Sequence, residues 1–107
     1  MEDNILRETS VALQHDWGLQ LPDQLSEEAI LHLLAQKIIG VLERGPEVFF
    51  QLMYRLDVSE KKLNEVMLDQ DVVAKIARLV YDRQLQKIQS RQAFRESKDD
   101  NDPELKW

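Results

Sequence analysis

Residues 71–98 read DVVAKIARLVYDRQLQKIQSRQAFRESK, without a single Gly or Pro. That stretch decides the fold. A run of this length with no helix breaker, rich in Leu, Ile, Gln, Lys and Arg, favours one long helix. Its first half carries Val72, Val73, Ile76, Leu79 and Val80, and its second half a cationic ladder, Arg83, Lys87, Arg91 and Arg95. At 100° per residue, Arg83 and Lys87 fall close to the side of Val72, Ile76 and Leu79. A face that begins as core therefore ends as charge, and the simplest geometry is a helix that packs over three turns and then runs past its neighbours. Tyr81, Leu85 and Ile88 form a second stripe with Ala74 and Ala77, which suits packing against a second copy or a partner helix.

Upstream, the helical signals are capped and short. Ser26 is a good N-cap, Glu27 and Glu28 suit the electropositive first turn, and Gly45-Pro46 is a stop. Between them Ile30, Leu31, Leu34, Ile38, Val41 and Leu42 define a broad apolar face, as expected of a central helix. Gly40 costs about 1 kcal/mol there relative to Ala, either for close approach of a neighbour near Ala29 and Leu33 or as a tolerated cost. Pro46 opens a second helix ending near Asp57, with Phe49, Leu52, Met53 and Leu56 in one stripe and Phe50 and Tyr54 in another. In a small bundle those two rings meet a third neighbour; left exposed, they become anchors for a partner. Ser59 caps a short third helix with Leu63, Val66 and Met67 inward.

The first 25 residues are less regular. Ile5, Leu6, Ala12 and Leu13 fit a short helix starting near Glu2 or Asp3. His15 to Leu25, with Gly18 and Pro22, reads as an arm whose Trp17, Leu19, Leu21 and Leu25 lie across the bundle. The expected architecture is all-α: a compact bundle of four helices, a short N-terminal fifth, and a long C-terminal helix projecting beyond the core. It forms one domain over 1–97, with 1–25 as an arm and 98–107 as a disordered acidic tail.

Composition narrows the chemistry. The 107 residues carry net charge −6 and no Cys, which excludes disulfides, zinc–thiolate sites and a cysteine nucleophile. The absence of an apolar N-terminal run or a long apolar stretch points to a cytoplasmic protein with no membrane association. Residues 1–58 hold four Lys/Arg against ten Asp/Glu, while 59–107 hold ten of each. His15 and His32 are the only histidines. Glu28 and His32 share a helix face, which reads as a surface ion pair because no further metal ligands are near. No catalytic triad order, phosphate-cradling Gly-rich loop or calcium loop is present, so no enzyme activity, metal or cofactor is expected.

The segment 52–67, LMYRLDVSEKKLNEVM, has the apolar spacing of a helix-turn-helix. Met53 stands where a small residue is usual, however, and Asp57 where Gly makes the turn. The second helix offers Glu60, Lys61, Lys62, Asn64 and Glu65, close to neutral, where phosphates call for more cations. Two consecutive bundle helices give the same pattern. The segments LMYRLDVSEKKL (52–63) and DRQLQKIQSRQ (82–92) resemble parts of a group of small uncharacterised bacterial all-helical proteins. The resemblance implies a free-standing bacterial protein and carries no activity. The expected role is a non-catalytic interaction or adaptor module that associates with a protein partner or a second copy. Phe50, Tyr54, Tyr81, Leu85 and Ile88 would make apolar contacts, with Arg83, Lys87, Arg91 and Arg95 orienting an acidic partner. The alternative is nucleic-acid binding through 52–67 and the basic C-terminal helix.

Overall fold

The computed structural model describes the backbone of residues 2–100 and the side chains of residues 4–94. Five helices follow in order: α1 Glu2–Trp17, α2 Glu27–Glu43, α3 Pro46–Arg55, α4 Glu60–Val66 and α5 Val72–Asp100. Of the tail expected over 98–107, residues 98–100 continue α5, and 101–107 lie outside the described residues.

The boundaries follow local chemistry. Ser26 Oγ accepts from the Ala29 amide at 3.1 Å, and Ser59 Oγ from the Lys62 amide at 3.3 Å, so both serines satisfy helix donors that lack a partner within the helix. Gly45 adopts φ 116° before Pro46, which starts α3. Gly18, at φ 68°, ends α1 with its amide on the Gln14 carbonyl at 2.8 Å. Helix α1 thus runs through His15 and Asp16, where an arm was expected to begin, because Gly18 rather than His15 carries the breaking signal.

Helices α2 and α5 form the central pair, with α1 against both, α3 on α2 and α4 on α5. Ile30, Leu34 and Ile38 from α2 are fully buried, as are Phe49 from α3 and Ile76 and Ala77 from α5. Leu19 is buried and Trp17, Leu21 and Leu25 pack against the same core, so the arm does cross the bundle. Met67, expected inward, is 38% exposed at the end of α4. Helix α5 spans about 43 Å at 1.5 Å per residue, close to the molecule's 49 Å long axis. The radius of gyration, 15.8 Å, exceeds the roughly 13 Å of a compact chain this long. That excess is the signature of one helix outrunning the rest.

The packed part of α5 is longer than three turns. Gln84 and Ile88 are buried and Leu85 packs on the core. Farther along, Gln92 Nε2 donates to Glu8 Oε2 of α1 at 3.1 Å. Helix α1 supplies the cover. Its inward face runs Leu6, Thr9, Ser10 and Leu13, and both hydroxyls are fully buried without a hydrogen-bond partner. An unsatisfied buried hydroxyl costs on the order of 1–3 kcal/mol. Thr9→Val keeps the shape without the donor and is expected to raise stability by about 1 kcal/mol in urea unfolding.

Gly40 resolves more simply. A Cβ built there meets nothing within 4 Å, and its backbone is helical. No neighbour approaches closely enough to require the glycine. Gly40→Ala is expected to stabilise by about 0.5–1 kcal/mol, seen as a higher urea midpoint with an unchanged slope.

Candidate functional site

The cationic ladder divides. Arg83 Nε donates to the Asp57 carbonyl at 3.0 Å, its Nη2 pairs with the Asp57 carboxylate, and its Nη1 reaches Gln86 Oε1 at 2.9 Å. Lys87 Nζ donates to the Leu56 carbonyl at 3.0 Å. These carbonyls lie at the C-terminal end of α3, where backbone acceptors lack partners and the helix dipole is negative. Two members of the ladder therefore cap another helix, and they are not free to orient a partner. Arg91 is exposed on α5; the Arg95 side chain lies outside the described residues.

The turn they hold is a Schellman motif. The Val58 amide bonds the Met53 carbonyl and the Asp57 amide the Tyr54 carbonyl, each at 3.0 Å, while Met53 and Val58 are both buried. Asp57 has φ 64°, the left-handed conformation that Gly adopts freely and other residues at roughly 1–2 kcal/mol. Arg83 offsets that cost by bonding both the side chain and the carbonyl. Asp57→Ala should lose the carboxylate and keep the strain, destabilising by about 1 kcal/mol. Asp57→Gly should come out near neutral, because relief of strain balances the lost ion pair. Chemical denaturation of the two variants checks the difference.

The second stripe of α5 is core and not surface, which corrects its expected role. Tyr81 and Ile88 are 3% and 2% exposed and Leu85 is half-buried, because α1 lies along that side of α5. Arg78 sits over the Tyr81 ring at 5.7 Å and bridges Glu27 and Asp82, each at 3.2 Å. Burial lifts the Tyr81 phenol above its ordinary pKa, with Glu27 adding to the effect. The Glu27 hydrogen bond holds the Arg78 guanidinium still more firmly in its charged form.

Phe50 and Tyr54 take the opposite position. Tyr54 is 87% exposed and Phe50 39%. The Phe50 ring leans edge-on against Phe49 at 5.1 Å, so its inner edge is anchored while its outer face is bare. Together with Pro46, Glu47, Gln51 and Arg55 they form one uncovered apolar face of α3. Among the described residues no other helix covers it: α3 packs chiefly on α2, and α5 meets it only at its C-terminal turn through Arg83 and Lys87.

Gln51 and Arg55 also line an adjoining groove between the end of α1, α2 and α3. Its apolar part consists of half-buried Trp17, Val41, Val48 and Leu52. Lys37, Arg44 and Arg55 surround it, with Asp16 the one carboxylate among its lining residues. Among the described residues none of these three cations has a salt-bridge partner. This groove was not anticipated from the sequence. Lys37, Val41 and Arg44 share a side of α2 at helical spacing, but residues from three helices must meet before the cations read as a group.

The helix-turn-helix geometry is weak. Helices α3 and α4 pack principally on α2 and α5 respectively, and α4 is seven residues long. His32 Nε2 lies 3.2 Å from the Gln36 amide nitrogen, which replaces the expected contact with Glu28. Among the described residues no group of three or more His, Cys, Asp or Glu is placed to hold a metal ion, and no helix is long and apolar enough to cross a membrane. Fold and surface together define a small all-α module. Comparisons with protein-family models, curated proteins and solved structures find no match.

Proposed function

We propose that the chain is a non-catalytic interaction module that engages a protein partner through the outer face of α3. The observation that carries this reading is the exposed pair Phe50 and Tyr54, one helical turn apart on a face that no other helix covers. An aromatic side chain left in water contributes little to folding, whereas Tyr and Phe are enriched in the cores of protein interfaces. The neighbouring groove adds cations to the same surface through Arg55, which lines both. An anchor ring flanked by charge is the usual composition of a hot spot and its rim.

A photo-crosslinking amino acid at position 54 tests this in cells. Discrete adducts are expected at position 54 and none from the same group at Gln36, an exposed position on α2 away from the face. Equal labelling at both positions, or none at 54, rejects the proposal. The adduct mass also separates a second copy of the chain from another protein.

A further inference from the structure

The groove beside Tyr54 is built from an apolar floor and three cations that have no salt-bridge partner among the described residues, in a protein whose net charge is −6. A complementary ligand would carry several acidic groups next to large apolar side chains. Such a segment exists in this chain: residues 99–107 read DDNDPELKW. Asp99, Asp100, Asp102 and Glu104 give it net charge −3, against +2 for the groove lining, and Leu105 and Trp107 supply the apolar part.

Reach separates the chain's own segment from a neighbour's. The Lys87–Leu56 bond places the end of α3 beside residue 87 of α5. Asp100, the last residue of α5, is thirteen positions on, about 20 Å along the axis at 1.5 Å per residue. Seven residues remain to position 107, which at full extension span at most about 25 Å. Nearly all of that length goes into returning to the level of residue 87, and little is left to lie along Trp17, Val48 and Leu52. A second molecule has no such restriction.

We infer that the groove formed by Trp17, Val41, Val48 and Leu52 and flanked by Lys37, Arg44 and Arg55 receives residues 99–107 of a second copy of the chain. The inference rests on the interaction reading above and names its partner. Each protomer offers one groove and one acidic segment, so the contact can be exchanged reciprocally in a dimer.

The test uses the full chain in two variants. One carries Leu105→Ser and Trp107→Ser, leaving the groove intact and the segment disabled. The other carries Arg44→Glu and Arg55→Glu, both exposed positions, so helix content by circular dichroism should match the unaltered chain. Fluorescence anisotropy of a labelled peptide, SKDDNDPELKW (97–107), is expected to show saturable binding to the first variant and at least tenfold weaker binding to the second. Sedimentation velocity should show the unaltered chain as a dimer at micromolar concentration and each variant shifted toward monomer. Equal peptide affinity for both variants, no binding to the first, or a monomeric unaltered chain overturns the inference. Adducts from position 54 to a different protein, combined with no peptide binding, would leave the interaction module standing and remove only this occupant. Loss of both would remove the module as well.

Discussion

Ile88→Asp is expected to unfold the protein at room temperature, or to leave it so destabilised that its urea transition begins at zero denaturant. Ile88 is 2% exposed, and the short aspartate stem cannot carry its carboxylate out to water as a lysine stem can. An unpaired buried charge costs several kcal/mol, comparable to the whole stability of a domain this size. The nearest polar pair identified on that side is Gln92 with Glu8, and Glu8 would repel rather than rescue the new charge. Circular dichroism with urea titration reads the result. Native stability combined with altered oligomeric mass would instead return Ile88 to the surface and remove α1 from its place against α5.

The second large effect separates neighbours on α3. Phe49→Ala removes a ring that is fully buried in the cluster joining α2, α3 and α5, and should cost about 3–5 kcal/mol through lost burial and a residual cavity. Tyr54→Ala, at 87% exposure, should change stability by less than about 0.5 kcal/mol. Equilibrium denaturation of both variants gives the contrast directly. If Tyr54→Ala costs as much as Phe49→Ala, the outer face of α3 belongs to the fold and is not available to a partner.

What the sequence disclosed, and what it concealed, follows from which signals are local. Ser26, Gly45-Pro46 and Ser59 mark boundaries within a few residues of themselves, and the corresponding helices begin or end there. The α2 core face was legible because Ile30, Leu34 and Ile38 repeat at helical spacing. Helix α1 was harder to read because two positions in the middle of its buried face are Thr9 and Ser10. An apolar stripe interrupted by hydroxyls looks weak, and without α1 in place Tyr81, Leu85 and Ile88 looked uncovered. The ladder was misleading for a different reason. Arg83 and Lys87 bind main-chain carbonyls, and every residue type carries one, so no pattern of side chains points to them. The single local clue was Asp57 standing where Gly is usual. At the candidate site, Phe50 and Tyr54 were visible as a pair, but whether anything covered them depended on the placement of α1, α4 and α5.

The bonds from Arg83 and Lys87 to the end of α3 also set an order of events in time. Their partners lie 26 and 31 positions earlier in the chain. A ribosome-bound chain that has released α3 but not yet α5 can form that helix, yet its last carbonyls must remain hydrated and its final turn frays. Only docking of α5 completes the turn. Amides that close it, those of Asp57 and Val58, should consequently lose protection from solvent exchange whenever α5 lifts away, so that this small loop reports on the attachment of the longest helix in the molecule.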